Sequence, residues 1–114
     1  MIINEKDVAV FDVDSTLIKW VDAPRAGITK ALDFYGITKH VQEIKVHTEF
    51  LKSLKARGYF IRVHSGNGYL WASQVVEALG LQGYVDMVET KVAKVIDDKP
   101  NSDWMPNPIY LGDE

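Results

Sequence analysis

Residues 8–17 read Val8-Ala9-Val10-Phe11-Asp12-Val13-Asp14-Ser15-Thr16-Leu17. Four consecutive apolar side chains suit a strand buried on both faces, as in a parallel sheet, rather than the alternation of a half-wet one. The run stops at Asp12, and a second carboxylate follows two residues later. Two positions along an extended chain bring side chains to the same side, so Asp12 and Asp14 are expected to address one point at the strand's end. Confined like charges repel unless a cation lies between them. Oxygen-only ligands point to a hard divalent ion, and a site with few protein ligands plus a phosphate suits Mg²⁺. A calcium loop of the EF-hand type does not fit, because its sixth position is Leu17 instead of glycine and its twelfth is Ala23 instead of glutamate.

Outward from that stretch the chain alternates short apolar runs with helix-period segments, the pattern of βαβ units and a parallel sheet. In residues 43–57, Ile44, His47, Phe50, Leu51 and Leu54 recur at helical spacing, and Gly58 is placed to end that helix. Residues 60–63 predict a second strand, followed by His64-Ser65-Gly66-Asn67-Gly68. A second helix carries Trp71, Val75, Val76 and Leu79 inward and stops at Gly80. Further strands are expected at 84–88, at 92–96 and, opening on a proline as an edge strand tolerates, at 108–111. Residues 18–42 follow the first strand and would lie over its end as a flap or minimal cap; within them, 31–41 suit either a hairpin around Gly36 or a helix.

The 114 residues make one domain, since two independent cores would each be too small. A hydrophobic fraction of 46% and a charged fraction of 25% exclude a disordered tail, a collagen-like fibre and a coiled coil. With no cysteine there is no disulfide framework, thiolate metal site or cysteine nucleophile. A net charge of −3 argues against a protein that coats nucleic acid. The first residues carry no secretion signal, and no apolar run approaches the roughly 20 residues that span a bilayer. A cytoplasmic protein that does not enter a membrane is expected.

In an open parallel sheet, ligands bind beyond the carboxyl ends of the strands. There the sequence sets Asp12 and Asp14, then Ser65 with Gly66 and Asn67, then Lys91, then Asp97 and Asp98. In order and at strand ends, these four groups resemble the motifs of the haloacid dehalogenase (HAD) superfamily of phosphohydrolases. Asp12-Val13-Asp14-Ser15-Thr16-Leu17 matches its first motif, Ser65 its second, Lys91 its third, and Asp97-Asp98 the paired-acid form of its fourth. The motifs span residues 8–98, and 64–100 is similar to the small, minimally capped members of bacteria and phages. More distantly, the chain is similar to the phosphatase domain of polynucleotide kinase-phosphatases.

The resemblance implies a three-layer, Rossmann-like α/β fold with a short five-stranded parallel sheet, and a Mg²⁺-dependent phosphomonoester hydrolase. Asp12 would attack phosphorus to form an aspartyl-phosphate, and Asp14 would protonate the leaving alcohol and then activate water. Ser65, Gly66 and Asn67, ahead of a helix N-terminus, would bind the phosphate, with Lys91 stabilising its developing charge. Mg²⁺ would be held by Asp12, the backbone carbonyl of Asp14, Asp97 and Asp98. Asp113 and Glu114 are an alternative fourth motif, and Lys94 and Lys99 are alternatives to Lys91. The expected substrate is a phosphorylated small molecule such as a nucleotide. With little or no cap the site would be open, admitting larger substrates or relying on a second subunit of a homo-oligomer; a nucleic-acid terminus gains no support from the charge. The competing readings are a phosphotransferase and a catalytically weak module that binds phosphate or metal.

Other residues have plainer readings. His47 and His64 are expected to be structural, and Trp20, Phe34, Tyr35 and Trp71 to be core or flap packing. Lys45, Lys52, Lys55 and Arg57 suit a solvated helix face.

Overall fold

The computed structural model describes residues 4–96 and 98, the side chains of 4–6 excepted. The elements run β1 (Asn4–Asp12), β2 (Ile18–Val21), β3 (Thr29–Phe34), β4 (Ile37–Glu43), α1 (Lys45–Ala56), β5 (Tyr59–Ser65), α2 (Tyr69–Ala78) and β6 (Met87–Thr90). They form two sheets of three strands each: a parallel one in the order β1-β5-β6 and an antiparallel one in the order β2-β4-β3. The fold is α/β, and none of its described helices is long and apolar enough to cross a membrane.

The parallel sheet aligns Phe11 with Val63 and Asp12 with His64, then Val63 with Val88 and Ser65 with Thr90. Side chains alternate between faces along each strand. One face therefore carries Phe11, Ile61 and Val63, all buried, and these share a single apolar cluster with Leu51 and Leu54 of α1 and Trp71, Val75 and Val76 of α2. The Phe11 ring meets Phe50 of α1 edge-on at 6.1 Å. Both helices lie on this face for a topological reason. The steps β1→β5 and β5→β6 move the same way across the sheet, and right-handed crossovers then put their helices on the same side.

Five parallel strands and three layers were expected; the described residues form three parallel strands and two layers. Residues 92–96 are not a strand. Val92, Val95 and Ile96 are exposed there, without the partner ladder that an apolar run needs to stay extended. The strand expected at 84–88 lies at Met87–Thr90, because the amides of Tyr84 and Val85 turn back to the Leu81 carbonyl. Residues 108–111 lie outside the described residues. Of the two readings of 31–41 the hairpin is the one formed. Its turn places Tyr35 at φ 51 and Gly36 at φ 90, the two positive dihedrals of a tight hairpin whose twist matches its strands.

Lys55 also departs from expectation. It is buried at 9% exposure, and its ammonium bonds both carboxylate oxygens of Asp86 at 2.8 and 2.9 Å. Asp86 accepts the Ile61 amide as well, at 2.8 Å, so the pair pins α1 and the start of β6 to β5. Burial pushes the Asp86 carboxyl up, but the Ile61 amide and the Lys55 ammonium outweigh it and hold the group below its ordinary value. A carboxyl depressed in the folded state adds stability that is present above its unfolded pKa and fades as pH falls through the folded one. Asp86→Ala is expected to cost about 3 kcal/mol, since it strands a buried ammonium. Urea unfolding at pH 7 measures that loss, and the gap between wild type and variant is expected to narrow as pH drops below the ordinary carboxylate value.

Candidate active site

β1, β5 and β6 run parallel and so deliver Asp12, Ser65 and Thr90 to one edge of the sheet, with Lys91 next along the chain. The Lys91 amide donates to the Ser65 carbonyl at 2.9 Å. Its side chain is also close enough to lower the pKa of His64, together with burial, the larger cause, and Arg62, against the pull of Asp12 and Glu89. Lys91 and Lys94 are both exposed, and of the two Lys91 is the one whose backbone joins β5.

The two carboxylates have different neighbours, against the expectation of a shared direction. Asp12 ends β1 and faces His64, with Nε2 to Oδ1 at 3.9 Å and the Asp12 side chain about one-third exposed (34%). Asp14 has left the strand. The chain turns there through Ser15 at φ 65, and the Leu17 and Ile18 amides both bond back to the Val13 carbonyl. Alternation along a strand no longer applies beyond that turn. His47, buried on α1 as expected of a structural histidine, braces the turn through Nδ1 against the Thr16 carbonyl at 2.5 Å.

Asp14 is the hub of the site. Its Oδ1 accepts the indole N–H of Trp20 at 2.9 Å and that of Trp71 at 3.0 Å. Its Oδ2 accepts the Ser65 hydroxyl at 2.9 Å and the Asn67 side-chain amide at 3.1 Å. Four donors on two oxygens fill a carboxylate. Only the Ser65 hydroxyl among them can reverse and accept a proton. Ser65 is fully buried and also accepts the Asn67 amide at 3.0 Å, while Gly66 and Asn67 are exposed.

The indoles that hold Asp14 also join the antiparallel sheet to α2. Trp20 packs on Trp71 at 5.3 Å, and Phe34 sits edge-on to both, at 5.1 and 5.0 Å. Gln74 of α2 bonds the Asp33 backbone twice, accepting its amide at 2.8 Å and donating to its carbonyl at 2.6 Å. At the hairpin tip the Tyr35 hydroxyl donates to the Asn67 carbonyl. The antiparallel sheet of residues 18–43, expected as a flap or minimal cap, is thus docked beside the carboxyl edge of the parallel one, with Trp20, Phe34 and Tyr35 in ring contact and Trp20 and Tyr35 still exposed. A shallow pocket of about 100 Å³ remains between flap and helix, lined by Asp33, Tyr35, Leu70, Trp71 and Gln74. It is well below the volume that encloses a metabolite, and Asp12 is not part of its wall.

Gly68 is the tightest point of this docking. It has φ +102, and a Cβ there would come within 2.7 Å of the Tyr35 hydroxyl oxygen. Gly68→Ala is expected to cost about 2 kcal/mol in backbone strain and to loosen the flap. The check is the urea midpoint together with amide exchange at residues 33–37, which is expected to accelerate more than exchange in β5.

Of the sequence-predicted site residues, Asp14, Ser65 and Asn67 come into direct contact, Asp12 and Lys91 stand beside them, and Gly66 lies in the loop between. Asp98 is described and exposed; Asp97, Lys99, Asp113 and Glu114 lie outside the described residues. Among the described residues no group of three or more His, Asp or Glu side chains is set to hold a metal. Sequence reasoning missed the grip of Trp20 and Trp71 on Asp14, because nothing in the chain's periodicity links residues 6 and 57 positions away. No protein-family model matches this chain, and no curated protein matches it.

Proposed function

We propose that this chain is a Mg²⁺-dependent phosphomonoester hydrolase of the HAD type, with a three-layer fold that the described two layers form in part, and with Asp12 as its nucleophile. One observation carries the reading. Asp14 of the first motif bonds Ser65 of the second, and the Ser65 carbonyl receives the amide of Lys91 of the third. Three stretches far apart in the chain thus converge beside Asp12 at the carboxyl edge of a parallel sheet, where open α/β sheets bind their ligands.

In this reading an Asp12 carboxylate oxygen forms a bond to phosphorus as the bond to the leaving oxygen breaks. Asp14 supplies a proton to the leaving alcohol and takes one from the water that next cleaves the aspartyl-phosphate, so the carboxylate and free phosphate are regenerated. Ser65 exchanges its bond to Asp14 for a phosphoryl oxygen, and Lys91 offers its ammonium to the same charge. The partly exposed Asp12 carboxylate, with the Asp14 carbonyl and with Asp97 and Asp98 from the segment after β6, would hold the cation. An ion that keeps several waters and takes one or two carboxylates plus a substrate phosphate suits this donor set. Bound there, Mg²⁺ supplies positive charge between an anionic nucleophile and an anionic substrate.

The filled coordination of Asp14 favours one alternative, a module that binds phosphate without turning it over. Phosphate release from p-nitrophenyl phosphate, with Mg²⁺ and with excess chelator, separates the two. Turnover that the chelator abolishes is expected. A folded chain that binds Mg²⁺ and releases no phosphate from any phosphomonoester would favour the binding module.

A further inference from the structure

The two oxygens of Asp14 are held in different ways. Both donors on Oδ1 are indole N–H groups, from Trp20 of β2 and Trp71 of α2, at 2.9 and 3.0 Å. An indole nitrogen only donates, so neither ring can turn to take a proton from that oxygen. Both rings are also braced. Trp71 is 1% exposed in the core, and Trp20 packs on it at 5.3 Å and on Phe34 at 5.1 Å. The Ser15 amide donates to the Ile18 carbonyl at 2.8 Å, which sets the start of β2 against the turn that carries Asp14. Ile18 is fully buried, and Trp20, two residues along the same strand, shares its face. Oδ2 has looser partners: the Ser65 hydroxyl, which can rotate, and the side chain of Asn67, an exposed residue.

We infer, resting on the proposed reaction, that Trp20 is a positioning residue: with Trp71 it closes Oδ1 to protons and leaves Oδ2 as the oxygen of Asp14 that carries them. As Asp12 bonds phosphorus, the electron pair of the breaking bond goes to the leaving oxygen, which takes the proton from Oδ2. Water then attacks the aspartyl-phosphate and gives a proton back to Oδ2, while the electrons of the Asp12–phosphorus bond return to the Asp12 carboxylate. Four donors on Asp14 are compatible with turnover on these terms, because the two that cannot reverse both sit on the oxygen that does not react. The antiparallel sheet, through Trp20, thereby aims the acid.

The test is Trp20→Phe, which keeps an aromatic ring against Phe34 and Trp71 and removes the N–H. Trp20 is 37% exposed, so the change disturbs the core less than one at Trp71. The readout is kcat/KM with Mg²⁺ for p-nitrophenyl phosphate and for benzyl phosphate, two esters of similar size. This constant covers the steps up to loss of the alcohol, so the later attack of water does not enter. The p-nitrophenolate leaves as a stable anion and needs little help from an acid, whereas the benzyl alkoxide needs its proton. The substitution is expected to lower kcat/KM about threefold for p-nitrophenyl phosphate and at least about 30-fold for benzyl phosphate, as a misplaced acid should. Equal falls for the two esters, or a larger one for p-nitrophenyl phosphate, would overturn the inference and leave Trp20 a packing role. Turnover of neither ester by the wild-type chain would instead overturn the proposed reaction, and the inference with it. Should Trp20→Phe fail to fold, a benzothiophene ring in place of the Trp20 indole keeps the ring's shape and puts sulfur where the N–H stood. The same selective loss is expected there, and an unselective one would overturn the inference.

Discussion

Asp12→Asn is expected to lower Mg²⁺-dependent phosphomonoester hydrolysis by roughly 10⁴-fold or more, the scale of losing a covalent nucleophile. The amide keeps the shape of the side chain and removes the negative oxygen that would attack phosphorus. Stability is expected to change little. Asp12 is about one-third exposed, and His64, whose pKa burial lowers, lies at 3.9 Å, beyond hydrogen-bond distance. A contact this long to a histidine that burial keeps neutral contributes little, within the range of about 0–1 kcal/mol for weak ion pairs. Steady-state phosphate release beside a urea unfolding curve measures both effects on one preparation. A variant that loses its activity by unfolding would not support a nucleophilic role.

Asp14→Ala is expected to act in the opposite manner, on the fold as much as on the chemistry. It removes one acceptor from four donors, of which Trp71 and Ser65 are buried. A buried donor left without a partner costs about 1–3 kcal/mol, so the expected loss is about 3–5 kcal/mol, a large share of a small domain's stability. Asp14→Asn is expected to lose about half as much. It keeps an acceptor for the two indoles and turns an amide toward Ser65 and Asn67, where only the hydroxyl can adapt. Near-ultraviolet circular dichroism tracks the indoles while the urea midpoint tracks stability. The two aspartates are thereby separated: one substitution removes activity from a stable protein, the other releases the flap.

The parts of this fold legible in the sequence are those governed by local pattern. The apolar run before Asp12, the helical recurrence of Ile44, Leu51 and Leu54, and the stop ahead of Gly58 each depend on neighbours in the chain. β1, α1, β5 and α2 accordingly lie where the pattern places them, within a few residues. Elements whose position depends on a remote partner were less legible. β6 begins after Asp86 because that carboxylate is anchored by Lys55 and the Ile61 amide, and the spacing of charges on α1 suggested only a wet face. Val92, Val95 and Ile96 have the composition of a strand and lack a ladder to join among the described residues. The hairpin of residues 31–41 could not be chosen over a helix from propensity, since it is settled by pairing to β2 through β4 and by the docking of Phe34 on Trp20 and Trp71. The site divides in the same way. The residue types at the strand ends were visible, whereas the convergence of Trp20, Ser65, Asn67 and Trp71 on Asp14 exists only in three dimensions.

The central claim is a covalent bond between Asp12 and phosphorus. The direct measurement is peptide mass spectrometry of the protein quenched in acid during turnover of p-nitrophenyl phosphate with Mg²⁺. The expected result is one added phosphoryl group on the peptide containing Asp12, absent when chelator is added and absent from Asp12→Asn. Phosphate release at full rate with that peptide unmodified, or with the phosphoryl group on another residue, would contradict the account.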